Sequence, residues 1–229
     1  MVQRVVLSLK FKTEDMKTEN LDIRNQCCME LMREYPDNHF DLAVVDPPYG
    51  IGYSGKKRRN DGESKDKAGW KCGNRKEWDS AIPTAEYFEE LERISKKRII
   101  WGANYFWEYL GRTRALIEWD KMQEHSGSTF ELAWSNFDKP AKSFRLSRVE
   151  AYQDGTIHPT QKPVKLYDWI FANYAEKGMR ILDTHMGSGS IAIAAHYAGM
   201  HLTACELDKD YFKAACERIE RETAQTTLF

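Results

Sequence analysis

The 229-residue chain lacks any apolar run approaching the roughly 20 residues that a membrane-crossing helix needs, so no helical span is expected. The stretch Met1 to Lys10 lacks a signal peptide's apolar core. A cysteine framework is missing too. The five cysteines, Cys27, Cys28, Cys72, Cys205 and Cys216, are odd in number and form no Cys-x-x-Cys pair. Neither a disulfide scaffold nor a zinc or other metal site is therefore indicated, and a reducing, cytosolic setting fits best. The net charge is only −1, so the total names no partner. There is no internal repeat and no low-complexity tract. Residues 1–229 are expected to form a single domain, long enough to bury a full core.

What charge there is lies unevenly. From Lys56 to Lys76, nine Lys/Arg face three acids, Asp61, Glu63 and Asp66, a local balance of +6 that opens on Lys56, Lys57, Arg58 and Arg59. Such a stretch in a near-neutral protein reads as a phosphate-facing surface or as a solvated loop. It sits inside segment 50–80, rich in Gly, Lys and Arg and low in aliphatic residues. Loops of this length in compact domains are functional or mobile. Segment 135–157 has no clear period and carries Lys139, Lys142, Arg145 and Arg148.

Elsewhere strand and helix signals alternate, the pattern of an α/β sheet covered by helices. Strands are expected at 40–45, 98–102, 115–119, 130–134, 180–183 and 201–206. Helices are expected at 28–34, from the cap Thr84 through the helically spaced Tyr87, Phe88, Leu91 and Ile94, and at 104–110. Three more should run from Pro163 to about Glu176, across 190–198, and from the cap Asp208 to about Arg221.

Two strand ends carry the chemistry. The apolar run Leu42-Ala43-Val44-Val45 ends in Asp46-Pro47-Pro48-Tyr49. Proline fixes φ, has no N–H and biases the residue before it towards extended backbone. The corner is therefore stiff, and the Asp46 and Pro47 carbonyls and the Asp46 carboxylate project as acceptors. Such a set holds both hydrogens of a planar exocyclic amine while Tyr49 stacks on its ring. The same residues also fit a plain strand-to-loop turn. The second strand end, Ile181-Leu182-Asp183-Thr184-His185-Met186-Gly187-Ser188-Gly189-Ser190, is a strand, a glycine turn and a helix start. Glycine allows close ligand approach, and the helix start presents free N–H groups. The dinucleotide pattern Gly-x-Gly-x-x-Gly is absent, since position 192 is Ala. Twenty-three residues after Asp183, Glu206 ends the next strand, where a carboxylate accepts from ribose hydroxyls. Between the two lies His158-Pro159-Thr160-Gln161-Lys162-Pro163; Thr160 and Lys162 offer donors for a ligand carboxylate.

In this order the three motifs resemble the S-adenosylmethionine-dependent DNA amino-methyltransferases, in the class whose amine motif comes first and cofactor motif last. The resemblance implies a Rossmann-like methyltransferase fold with circularly permuted motif order, a mixed but mostly parallel sheet with helices on both faces. It implies Asp46, Pro47, Pro48 and Tyr49 as catalytic residues acting on an extruded base. The cofactor S-adenosyl-L-methionine would meet Gln26, Asp46, Thr160, Lys162, Pro163, Asp183, Thr184, Met186, Gly187, Ser188, Gly189, Glu206 and Leu207. An Asp in the amine motif more often accompanies N6-adenine, and a Ser N4-cytosine, so adenine in DNA is expected. Where relatives commonly carry Gly-Asp-Cys, this chain has Asn25-Gln26-Cys27-Cys28, leaving Gln26 or a main-chain group to replace the acid. Asn104 and Lys121 are expected at the base pocket or at the core edge. Lys56, Lys57, Arg58, Arg59, Lys139, Lys142, Arg145 and Arg148 would face DNA, with segment 135–157 a small target-recognition insert and Trp70 and Trp78 wedges or packing residues. No Pro-Cys of the cytosine-C5 type occurs. The alternatives are N4-cytosine methylation, an RNA or protein-amide methyltransferase, or a silent nucleic-acid-binding module. Tail 223–229, with Gln225, Leu228 and Phe229, resembles the peptide by which bacterial proteins grip the sliding clamp, or else docks on its own domain. Homodimerisation and a bacterial or phage cytoplasm complete the expectation.

Overall fold

The computed structural model describes residues 15–52, 79–123, 128–153 and 155–224. The basic run Lys56, Lys57, Arg58 and Arg59, the tryptophans Trp70 and Trp78, and the tail residues Gln225, Leu228 and Phe229 lie outside them.

Nine strands form one sheet in the order β1-β2-β9-β8-β3-β4-β6-β5-β7. They are β1 (Met16–Lys17), β2 (Leu21–Arg24), β3 (Phe40–Val45), β4 (Ser95–Trp101), β5 (Ile117–Asp120), β6 (Phe130–Ser135), β7 (Lys142–Arg145), β8 (Arg180–Asp183) and β9 (His201–Cys205). The centre, β2-β9-β8-β3-β4, is parallel, while β6 runs antiparallel to both β4 and β5. The helices are α1 (Cys28–Arg33), α2 (Ala85–Ile94), α3 (Arg148–Ala151), α4 (Val164–Tyr174), α5 (Ser190–Ala198) and α6 (Lys209–Thr223). This is the expected mixed, mostly parallel α/β sheet. No helix among the described residues is long and apolar enough to cross a membrane.

Side-chain alternation along the central strands divides the core. Leu42 and Val44 of β3 point with Ile99 and Trp101 towards α4, α5 and α6, while Ala43 and Val45 face α1 and α2. On α2, Tyr87, Phe88, Leu91 and Ile94 recur at helical spacing and are all buried. Truncating Leu91 to Ala would cost about 2–5 kcal/mol.

Several boundaries differ from expectation. Strand β4 follows α2 directly at Ser95, because the Arg98 guanidinium donates to the Glu92 and Ser95 carbonyls and pairs with Glu92. In place of a helix over 104–110 there is a single 3-10 turn, Ala103–Tyr105, led by Gly102 at φ 78°. Segment 135–157 supplies β7 and α3, and β2, unanticipated, pairs with β9. Asp208 caps α6 as expected, accepting from the Asp210 and Tyr211 N–H groups. Thr84 occupies the cap position of α2 without a side-chain bond.

The topology decides where a site forms. From β8 the chain proceeds through α5 to β9 on one side, and from β3 through α2 to β4 on the other. The crevice between β3 and β8 is a switch point, and ligands of open α/β sheets bind there, outside the strands' carboxyl ends. Asp46 follows β3 and Asp183 ends β8. Reversal of β6 brings Glu131, and β5 brings Lys121, to the same edge.

Candidate active site

Two cavities open on this edge and share a wall made of Asp46, Pro48, Thr160 and Lys162. The first, about 200 Å³, is lined by Gln26, His158, Thr184, Met186, Gly187, Ser188, Glu206 and Leu207, among others. The second, about 580 Å³, is lined by Pro47, Tyr49, Asn104, Tyr105, Lys121, Glu131 and Arg148, among others.

In the first cavity the glycine turn and Glu206 hold each other. The Gly187 N–H donates to Glu206 Oε2 at 2.9 Å, and the Asp208 N–H donates to Oε1 at 2.9 Å. Gly187 takes φ 56°, a conformation that glycine reaches without strain. Each carboxylate oxygen keeps acceptor capacity for a ligand hydroxyl, and burial raises the Glu206 pKa. Asn25 ties β2 to this strand end, donating to the Glu206 and Leu207 carbonyls. Gln26 lines the cavity with its amide nitrogen on Glu34 Oε1 at 3.1 Å.

Three expected cofactor residues stand behind the lining rather than in it. Asp183 is 1% exposed, accepts from the His185 N–H at 3.0 Å, and is pushed by burial up to about 8. Gly189 caps α5 against Ile219, and Pro163 caps α4. The ring of His185 packs edge-on against Tyr87, and burial lowers it to about 4, so it is neutral.

The second cavity is built on buried charge. Lys162 Nζ donates to Asp46 Oδ2 at 2.5 Å and pairs with Glu131 Oε2 at 3.0 Å; its side chain is 3% exposed. Glu131 Oε1 pairs in turn with Lys121 at 2.6 Å. The Tyr49 hydroxyl donates to Asp46 Oδ1 at 2.5 Å. Burial raises Asp46, as does the Glu131 charge, against the pull of Lys162. Glu131 also suffers burial, yet Lys162 and Lys121 hold it down to about 2. Lys162, expected to meet a cofactor carboxylate, lines the first cavity but has its ammonium on the amine-site acid, and Thr160 bonds His158 Nδ1 at 3.1 Å.

Tyr49 is held on several sides. Its ring stacks on Tyr105 at 4.7 Å and 13°, so one face is already covered. A Cβ on Gly102 would fall 2.3 Å from the ring, so only glycine fits there. Asp79, 2% exposed, accepts from the N–H groups of Tyr49 and Gly50, both at 2.8 Å. Prolines 47 and 48 offer no N–H, and Asp79 takes up the first two donors after them. Sequence reasoning did not single out Asp79; its signal was an acid near the end of the long loop, two residues after Glu77.

The basic residues divide by edge. Arg145 and Arg148 lie at or beyond the carboxyl end of β7, with Arg145 on Asp120 at 3.0 Å and Arg148 lining the second cavity. Lys142 starts β7 at the opposite edge, where Lys142 and Lys139 bond the side chain and carbonyl of Asn173. Those two expected DNA contacts are thus turned away from the cavities and anchored to the end of α4. No group of three potential metal ligands occurs among the described residues.

Residues 111–217 match a family profile described as DNA methylase, N6_N4_Mtase. The type II methyltransferase M.BglII of Bacillus subtilis is 22% identical, across 90% of this chain and 71% of the relative. The solved M1.HpyAVI–SAM complex superposes with a TM-score of 0.56 at 18% identity, over 86% of this chain and 99% of that one. PvuII DNA methyltransferase, described as cytosine-N4-specific, reaches 0.60 at 12% identity, over 90% and 91%. The fold is that of the Rossmann-like α/β methyltransferases. The profile match and these relatives make the chain similar to the S-adenosylmethionine-dependent DNA amino-methyltransferases, the N6/N4 family.

Proposed function

We propose that the chain methylates the exocyclic N6 of adenine in DNA, using S-adenosyl-L-methionine and an extruded target base. The observation that carries this reading is the shared wall: the Asp46 carboxylate borders a nucleoside-sized cavity and a second, larger one. The first cavity suits the cofactor. Glu206 has free acceptor capacity for a ribose diol, and Pro48, Met186 and Leu207 offer apolar surface. Bound there, S-adenosyl-L-methionine supplies an electrophilic methyl group.

The chain's own residues do the rest. An adenine inside a duplex must be extruded, at a cost of a few kcal/mol. Stacking against the Tyr49–Tyr105 pair offsets about 1–3 kcal/mol of it. Asp46 and the Pro47 carbonyl accept the two amine hydrogens, which concentrates lone-pair density on nitrogen. After transfer Asp46 is the acceptor for the proton that nitrogen sheds, a role suited to a carboxyl whose pKa burial raises. Adenine is preferred over cytosine because Asp stands first in the amine motif. The basic residues outside the described segments, with Arg145 and Arg148, supply phosphate contacts; a clamp-bound tail rests on the resemblance of its last residues alone, and a homodimer on the habit of relatives alone.

Incubation with methyl-labelled cofactor and DNA, RNA or protein, followed by nucleoside analysis, tests the reading. N6-methyladenine in DNA is expected. Label appearing as N4-methylcytosine would move the specificity, and label confined to RNA or protein would end the proposal.

A further inference from the structure

The Lys162 ammonium donates to Asp46 Oδ2 at 2.5 Å and to the Tyr49 hydroxyl at 3.5 Å, forms an ion pair with Glu131 Oε2 at 3.0 Å without hydrogen-bond alignment, and lies 5.2 Å from the Trp101 ring centroid. Lys162 cannot withdraw to solvent, since its side chain is 3% exposed. The share of its charge that Asp46 feels therefore depends on Glu131. Glu131 is itself divided, with its other oxygen on Lys121 at 2.6 Å. The order Lys121–Glu131–Lys162–Asp46 alternates in sign and ends on the acid that borders both cavities. Glu131 and Lys121 come from β6 and from the end of β5, which are brought to this edge by the reversal of β6.

We propose that Glu131, held by Lys121, is a positioning residue that sets how tightly Lys162 grips Asp46, and thereby how well Asp46 accepts a substrate amine. The inference rests on the amino-methyltransferase reading above. Were Lys162 wholly on Asp46, its ammonium would compete with the amine hydrogens for the same oxygens. Glu131 draws part of that ammonium away and adds negative charge nearby, and both effects leave Asp46 more basic. Burial and the Glu131 charge raise Asp46 while Lys162 and the Tyr49 hydroxyl lower it, in keeping with this arrangement. The other titratable groups facing Asp46 are Tyr152, Tyr167 of α4 and Asp183 of β8.

Charge order makes opposite predictions for two neighbours on one β-hairpin. E131Q removes the competitor for Lys162. The acid limb of the kcat–pH profile should move to lower pH, and plateau kcat should fall about tenfold with DNA KM changed less than about threefold. K121Q leaves Glu131 wholly to Lys162, so the acid limb should move to higher pH. E131D keeps the charge and should keep the wild-type limb. Carbon-13 NMR titration of the Asp46 carboxyl in the same proteins reads the shift without turnover. If E131Q folds poorly, K121Q still carries the sign. Limbs and titrations that stay at the wild-type position, or that move the same way in E131Q and K121Q, overturn the proposal. A wild type that methylates no DNA defeats the functional reading instead, and the Asp46 titration still decides this one.

Discussion

On the Glu206 side of the shared wall, two carboxylates, Asp183 and Glu206, have no cation within ion-pair distance among the described residues, and burial raises both. On the Glu131 side, two carboxylates are interleaved with two lysines. The difference follows from what each side is proposed to hold. The Glu206 carboxylate, without a paired cation in a partly dry cleft, favours a cationic ligand, such as one carrying a sulfonium and an ammonium, while Asp183 behind the lining is protonated below about pH 8. A balanced network offers a neutral amine hydrogen bonds without a net field. The first side gains from its ligand's charge, and the second must be fully paired beforehand, because an unpaired buried charge is costly.

The sharpest break in this comparison is Asp46→Ala, which removes the one acid common to both cavities. Methyl transfer should fall by about 10³-fold or more, while cofactor affinity by calorimetry stays within about threefold. Turnover within tenfold of wild type would sink the role given to Asp46. Glu206→Gln acts on one side only. It keeps an acceptor but loses the charge and one acceptor atom, so cofactor Kd should rise about 10–100-fold. At saturating cofactor, kcat should be nearly unchanged. A fall in kcat with Kd intact would mean that the two sides are not separable in this way.

How much of this was legible beforehand differs between the same two regions. The Glu206 side is local in sequence: strand, glycine turn, helix and next strand follow one another, and Gly187 meets Glu206 across 19 positions. Period and spacing suffice for such a unit. The Glu131 side joins residues from four distant stretches, and Lys162 lies 116 positions from Asp46. Nothing in a hydrophobic period reports a side-chain pairing across a reversed strand, so the sequence presents Lys162 as a cofactor contact and Glu131 only as a position in the expected strand 130–134. Lys139 and Lys142 show the same limit. Their charge was visible, but the edge of the sheet they occupy was not. The helix expected over 104–110 is lost because Gly102 sits at positive φ to make room for Tyr49, a tertiary demand that outweighs local propensity.

Asp79 sharpens the contrast from the backbone side. Its carboxylate oxygen serves the N–H groups of Tyr49 and Gly50, so Asp79→Ala leaves two donors after the prolines without that acceptor. A loss of about 1–3 kcal/mol in denaturant unfolding is expected, with kcat reduced through a displaced Tyr49. Unchanged stability and kcat would show that the Pro-Pro corner holds its shape unaided.

The smallest effect has the opposite sign and separates the two sides by pH. Asp183 titrates at about 8 when folded against 3.8 for an ordinary Asp, so its burial favours the protonated form. As pH rises above about 3.8 the unfolded chain releases this proton first, and the folded state loses relative stability until pH passes about 8. Asp183→Asn keeps an oxygen for the His185 N–H and removes the charge. It should therefore stabilise the protein by about 1–3 kcal/mol above pH 8 and change little near pH 4. Cofactor affinity should fall only a few-fold, since Asp183 acts on the cavity through its field and the turn it braces. Tm measured across that range for both proteins checks the sign. A variant less stable than wild type at pH 8 would mean that Asp183 already has compensating charge, and that the uncompensated character of the Glu206 side is wrong.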